Sequence, residues 1–154
     1  MNDSSMDIVH TLNDFGEYND QVNEYLSSIY MTDTAFKDFT DVMKEIDRKI
    51  IVCMVGEHCP SFAKEIVDEE YELDRDPLLR STPFVIWANF DIEDGDIGTI
   101  SLNYMVPTLF EAAVIKLSPY YQYMLNIRNN IPILTSYDVY FDKDMKEYQY
   151  DSES

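Results

Sequence analysis

The chain has 154 residues, with 30 Asp and Glu against 11 Lys and Arg, and a formal net charge of −19 at pH 7. This length suits one domain or part of a larger one, and a hydrophobic content of 45% is too high for a disordered acidic chain. The charge argues against nucleic acid as a partner, because Lys and Arg are needed to neutralise phosphates. It also disfavours anionic membrane surfaces and favours cations or basic partners.

No membrane segment and no targeting signal are predicted within the chain. No apolar run approaches the roughly 20 residues of a membrane span, and the first residues, MNDSSMD, lack the basic and apolar regions of a signal peptide. Of the two cysteines, Cys53 sits in an apolar run and is predicted to be a small buried hydrophobe. Cys59 follows His58, and two cysteines establish no disulfide framework.

The first half of the chain alternates strand and helix patterns. Asp7–Leu12 predicts a short strand, and the Asn, Asp and Gly of Asn13–Asp20 predict a loop. From Gln21 to Asp47 apolar residues recur every three or four positions, which predicts a long amphipathic helix that covers a core. This apolar stripe consists of Val22, Tyr25, Leu26, Ile29, Phe36, Phe39, Met43 and Ile46. Lys49–Gly56 (KIIVCMVG) then predicts a strand buried on both faces, as in parallel sheets.

The second half continues the alternation. Lys64–Arg80 predicts an acidic surface stretch, and Thr82–Asn89 predicts a second central strand, with Pro83 at its entrance where a missing N–H is tolerated. The acidic loop Asp91–Gly98 lacks the spacing of a calcium loop. Helices are predicted at 103–114 and 119–129, and strands at 131–135 and 137–141. We therefore predict an α/β fold over residues 1–141, a mostly parallel sheet flanked by helices, followed by an acidic flexible tail at 142–154.

The residues best suited to chemistry follow the first buried strand, at Gly56-Glu57-His58. Ligands of open parallel sheets bind beyond the carboxyl ends of the strands. A carboxylate and an imidazole at this place supply an oxygen and a nitrogen ligand to one divalent cation, and Gly56 allows a sharp turn. The alternative is that Glu57 and His58 bond each other or nearby backbone. The second histidine, His10, lies in the first predicted strand and is expected to be structural.

Five segments resemble the C-terminal part of the catalytic domain of lipoteichoic acid synthase-like proteins, which are phosphoglycerol transferases of the sulfatase/alkaline phosphatase superfamily. In chain order the segments are VNEYLSSIYMTDTAF, IIVCMVGEHCPSF, TPFVIWANF, GTISLNYMVPTLF and LSPYYQYMLNIRNNIPILT. The likeness runs in order from about Ile8 to Thr135. It implies the C-terminal portion of an alkaline phosphatase-like domain.

The resemblance also implies roles for particular residues. In the family the strand ends in Gly-Asp-His, whose Asp and His bind a catalytic divalent metal, typically manganese. This pattern falls on Gly56-Glu57-His58, which implies Glu57 and His58 as metal ligands. The family's Asn-His-Phe stretch, whose His contacts the substrate phosphate, falls at Asn13. Asp14 therefore stands at the substrate-binding position, where an anion replaces a hydrogen-bond donor.

The family's nucleophile is a Thr that lies upstream, in the N-terminal half of the catalytic domain, together with a further metal-binding Glu. The Thr attacks phosphorus and forms a covalent phosphoglycerol-enzyme. The resemblance thus implies no catalytic residue in this chain, a missing N-terminal half as its partner, and phosphoglycerol or a related anionic ester as substrate. It implies the extracellular face of the cytoplasmic membrane as the location, and no turnover by this chain alone.

Two other interpretations stay open. The chain is also compatible with a non-catalytic acidic α/β remnant that acts as a binding or interaction module, which the residues Asp14 and Glu57 and the acidic composition favour. The second of these interpretations is a simple divalent-cation-binding module.

Overall fold

A computed structural model describes residues 8–66, 81–135 and 138–150. The described residues form two compact units. The first contains those up to Ile50 and those from Gly56 to Pro83, and the second contains those from Ile51 to Val55 and from Phe84 onward. Most of the acidic stretch predicted at 64–80 lies outside the described residues. No helix in the described ranges is both long enough and apolar enough to cross a membrane.

The first unit is built on one long helix, α1 (Asn19–Lys44), which confirms the helix predicted from the apolar stripe. A 3-10 turn at Gly16–Tyr18 precedes it, and a short helix, α2 (Ala63–Ile66), follows later. The stripe is only partly buried, since Val22 is 8% exposed but Ile29 is 47% and Phe39 is 44% exposed. The expectation that this whole face covers a core is therefore met at Val22 and not at Ile29 or Phe39.

The segment before α1 does not form the predicted strand over its described part, residues 8–12. Its backbone is bound by a side chain of the helix instead. The buried Ser27 hydroxyl accepts hydrogen bonds from the backbone N–H groups of Ile8 and Val9, each at 2.9 Å, and donates to the Val9 carbonyl at 3.4 Å. A serine that offers these bonds competes with a sheet for the same backbone groups. The apolar pattern of Asp7–Leu12 could not reveal this competition.

The second unit contains both predicted central strands, as β1 (Ile51–Val55) and β2 (Phe84–Ala88). They pair antiparallel, with a register that runs from Ile51 opposite Ala88 to Val55 opposite Phe84. The prediction of a parallel arrangement is therefore wrong for this pair. A run of apolar residues indicates burial but not direction, and a connection of this length permits either direction. The strands are also half-buried rather than covered on both faces.

Two helices, α3 (Met105–Ala112) and α4 (Pro119–Arg128), confirm the helices predicted in the second half. The start of α4 has Pro119 in its first turn and the Ser118 hydroxyl as acceptor for the Tyr121 N–H at 3.2 Å, as a helix N-terminus requires. Beside them, Tyr104 is fully buried, and its hydroxyl donates to the Ile131 carbonyl at 2.9 Å.

Three short strands, β3 (Ile133–Leu134), β4 (Val139–Phe141) and β5 (Glu147–Gln149), form an antiparallel sheet in that order. The first two confirm predicted strands. The third lies within the expected acidic tail, where Asp142 organises the turn by accepting the N–H groups of Asp144 and Lys146. Up to residue 150 the segment is thus a β-hairpin rather than a fraying tail, and residues 151–154 lie outside the described part. The molecule is a mixed α/β protein, as predicted, with small antiparallel sheets.

Candidate functional site

The Gly56–Cys59 turn follows directly after β1, where the sequence places the candidate metal ligands. The N–H of Gly56 donates to the Pro83 carbonyl at 2.9 Å, which adds one bond beyond the β1–β2 pairing. The carbonyl of Gly56 in turn accepts the Thr82 hydroxyl at 2.9 Å. Both backbone polar groups of the first residue in the turn are therefore bound by Thr82 and Pro83.

Gly56 is required here because its neighbours lie close, and not because of its backbone conformation. Among the described glycines, only Gly16 and Gly98 have a positive φ. A Cβ on Gly56 would lie 2.9 Å from the Thr82 Cβ and 3.2 Å from the Pro83 Cδ, which is closer than carbon atoms pack. The sharp turn predicted from the glycine is thus a close approach of Gly56 to the side chains of Thr82 and Pro83.

His58 is exposed, and one of its ring nitrogens has a partner. Its Nδ1 lies 2.8 Å from the Cys59 carbonyl oxygen. Because a carbonyl only accepts, Nδ1 must carry the proton, which leaves the lone pair of the neutral imidazole on Nε2. Metal-bound histidines commonly donate their other ring N–H to such a carbonyl. The contact therefore fits a metal ligand, and it is also the backbone bond that the alternative interpretation expected.

Glu57 precedes His58 and is also exposed. Its carboxylate and the His58 Nε2 form an oxygen and nitrogen donor pair of the kind that divalent transition metals accept. Among residues 8–66, 81–135 and 138–150, no group of three or more His, Cys, Asp or Glu side chains is arranged to hold a metal ion. The pair fits a divalent cation in its chemistry but supplies only part of a coordination shell.

Asp14 lies in a separate loop, just before α1. Its Oδ1 accepts the Asn19 side-chain amide and the Gly16 backbone N–H, both at 2.9 Å. These hydrogen bonds, the one from Asn19 first, hold the pKa of the Asp14 carboxyl below its ordinary value. The structure thus gives Asp14 a role in shaping the loop, with its charge retained at neutral pH.

The sequence did not indicate any role for Thr82. A threonine at the entrance of a strand has no local feature that names its partner, and this partner is 26 positions away. The sequence offers one indication, which is that Pro83 precedes β2. Thr82 must therefore lie close to the segment that pairs with the first residues of that strand.

Comparison with known proteins now defines the class. The sulfatase family model matches residues 3–115, which is most of the chain. The chain therefore belongs to the sulfatase family. This agrees with the resemblance to phosphoglycerol transferases of the sulfatase/alkaline phosphatase superfamily noted in its sequence.

Among solved structures, the chain is similar to the Streptococcus pyogenes phosphoglycerol transferase GacH in complex with sn-glycerol-1-phosphate. The TM-score is 0.65 at 22% sequence identity, and the match covers 80% of this chain but 32% of that one. At this identity the likeness shows a shared fold. A search of curated proteins gives no significant match.

Proposed function

We propose that the chain is the C-terminal portion of a metal-dependent phosphoglycerol transferase or sulfatase-like enzyme of the cell envelope, at the extracellular face of the cytoplasmic membrane. Membership of the sulfatase family and the fold shared with GacH support this proposal. The observation that carries it is the exposed Glu57-His58 turn after β1, where a backbone carbonyl leaves the His58 Nε2 available.

In this proposal the chain contributes ligands, and the nucleophile comes from an N-terminal half of the catalytic domain outside these residues. A bound divalent cation, proposed to be manganese, would supply positive charge that stabilises negative charge on a phosphate or sulfate ester. Glu57 would provide an oxygen donor and His58 its Nε2, while the Nδ1–H bond to Cys59 orients the ring. The substrate would be phosphoglycerol or a related anionic ester, with Asp14 at the substrate-facing position.

The experiment is a Mn²⁺ titration of the longest native polypeptide that contains these residues. Binding is measured calorimetrically and by paramagnetic broadening of the His58 ring signals. We expect Glu57→Ala and His58→Ala each to weaken Mn²⁺ binding at least about tenfold. Loss of a residue that only hydrogen-bonds to a metal ligand already lowers metal affinity by about that factor, and loss of the ligand itself should lower it no less. The matched controls are Glu24→Ala on α1 and His10→Ala, both at exposed positions outside the turn. Equal affinity in wild type, Glu57→Ala and His58→Ala would overturn the metal assignment.

A second candidate function is a non-catalytic acidic module that binds a partner. The observation in its favour is Asp14, whose carboxylate is hydrogen-bonded within its own loop and would repel a phosphate. Under this proposal, millimolar Mn²⁺ leaves the melting temperature unchanged, because only a ligand that prefers the native state raises it. A rise in the melting temperature that His58→Ala abolishes would reject the second candidate.

A further inference from the structure

We propose that Thr82 is a positioning residue for the Glu57-His58 turn. Its hydroxyl holds the Gly56 carbonyl, so that the two candidate ligands leave β1 in one fixed orientation. The purpose of this positioning rests on the proposed metal-binding function, whereas the positioning itself is a property of the chain that can be measured without metal.

The contacts tie the turn to one segment, residues 81–83. At its start, Gly56 is bound on both sides, by the Pro83 carbonyl at 2.9 Å and by the Thr82 hydroxyl at 2.9 Å. At its end, the Cys59 thiol lies 4.0 Å from the Ser81 carbonyl. Glu57 and His58, both exposed, lie between these contacts, of which the two at Gly56 are the short ones.

The side chain of Thr82 suits this task for two reasons. Threonine is branched at Cβ and therefore stiff about χ1, so its hydroxyl is held in a preferred direction. The Thr82 Cβ also lies 2.9 Å, and its methyl carbon 3.5 Å, from the place that a Cβ on Gly56 would occupy, so the side chain packs against the glycine as well as bonding to it. A backbone held by both kinds of contact loses little further conformational freedom when a ligand binds.

The test compares Thr82→Val, which removes the hydroxyl and keeps the shape, with Thr82→Ser, which keeps the hydroxyl. The matched control is Thr135→Val, since the Thr135 hydroxyl also donates to a backbone carbonyl, that of Val139 at 2.8 Å, in the C-terminal sheet. All variants are made in the longest native polypeptide. The first readout, in metal-free protein, is the ¹⁵N relaxation of the Glu57 and His58 amides.

We expect Thr82→Val to lower the amide order parameters of Glu57 and His58. Thr82→Ser, which keeps the hydroxyl but lacks the methyl group, should recover most of this order, and Thr135→Val should leave it unchanged. A general loss of stability would occur in Thr82→Val and Thr135→Val alike, and it would not lower the amide order of Glu57 and His58 in Thr82→Val alone. Unchanged order at Glu57 and His58 in Thr82→Val, or an equal loss in Thr135→Val, would overturn the positioning role.

The second readout is Mn²⁺ affinity, which separates this proposal from the proposed function. If wild type binds Mn²⁺ through His58, we expect about tenfold weaker binding in Thr82→Val and recovery in Thr82→Ser. Tenfold is the smaller of the losses in metal affinity that follow when a residue supporting a metal ligand is removed. Wild-type affinity in Thr82→Val would overturn the link between Thr82 and metal. If wild type binds no Mn²⁺ while Thr82→Val still loosens the turn, the proposed function fails and the positioning role stands.

Discussion

The α3–α4 pair and the Gly56–Cys59 turn both contain polar side chains, and they use them in opposite ways. Between the helices, Arg128 donates to the Thr108 hydroxyl at 2.7 Å and to the Glu111 carboxylate at 2.9 Å, and the Thr108 hydroxyl donates to the Tyr104 carbonyl at 2.7 Å. In the turn, it is the backbone of Gly56 that is bound, while the side chains of Glu57 and His58 remain exposed.

This difference separates polar side chains that are bound within the protein from exposed polar side chains that are proposed as ligands. A buried polar group must find a partner within the protein, because leaving it unpaired costs free energy. The part of the chain that the structure describes contains no buried polar side-chain atom without one. An exposed pair held on a bound backbone can instead be offered to a cation. The comparison therefore predicts large stability losses near α3 and α4 and smaller ones at the turn.

The largest effect is expected at Tyr104, whose side chain is fully buried. Tyr104→Ala should lower the free energy of unfolding by about 3–5 kcal/mol, because it leaves a cavity the size of an aromatic ring. Tyr104→Phe should cost about 1 kcal/mol, the typical worth of a hydrogen bond such as that to the Ile131 carbonyl. Urea denaturation measures both. The control is Tyr123→Ala, at a side chain that is 61% exposed, which should be near neutral. Similar losses at both tyrosines would contradict the assignment of the core.

An intermediate effect is expected at Gly56. Gly56→Ala forces a methyl group against Thr82 and Pro83 and should cost about 1–3 kcal/mol, as overpacking does. Gly95→Ala is the matched control, because nothing lies within 4 Å of its new methyl group. Gly95→Ala should leave stability unchanged or raise it by up to about 1 kcal/mol, because alanine lowers the conformational entropy of the unfolded chain. Equal stability of Gly56→Ala and Gly95→Ala in chemical denaturation would contradict the close contact of Gly56 with Thr82 and Pro83.

The smallest effect concerns two exposed carboxylates whose pKa values are lowered by different means. Asp41 lies 2.7 Å from the Lys37 amine and 2.8 Å from that of Lys44, and these hydrogen-bonded cations lower its pKa from 3.8 to about 2. Asp14 is held chiefly by the neutral amide of Asn19. In both cases the folded pKa lies below the unfolded value. Each contribution to stability is therefore present above about pH 3.8 and is lost as the pH falls through the folded pKa.

Salt distinguishes the two. Raising the ionic strength from about 0.1 M to about 1 M should move the pKa of Asp41 back towards its ordinary value, because exposed ion pairs are screened. The pKa of Asp14 should change less, because its principal donors carry no charge. Carboxyl ¹³C titration at the two salt concentrations measures both values in one sample. A larger salt shift at Asp14 than at Asp41 would show that a cation, rather than the amides, stabilises its carboxylate.

Local patterns in the sequence determined most of the regular elements. The apolar spacing of α1, the Ile and Val run of β1 and the Ser118-Pro119 start of α4 are each contained in a few neighbouring residues, and all three elements form at the predicted places. The same holds for the order Gly56-Glu57-His58, which places an oxygen and a nitrogen donor directly after a strand. The hydrogen-bonded turn at Asp142 is also local, but the acidic composition around it led to the prediction of a flexible tail instead.

The tertiary structure alone decided what depends on distant partners. The antiparallel direction of β1 and β2, the capture of Ile8 and Val9 by Ser27, and the bond from Thr82 to Gly56 join residues many positions apart. A periodic pattern shows which side chains are apolar, but it contains no information on which backbone segment will lie opposite. The sequence by itself therefore identifies two candidate ligands, and only the folded chain shows that Thr82 and Pro83 hold the backbone from which they project.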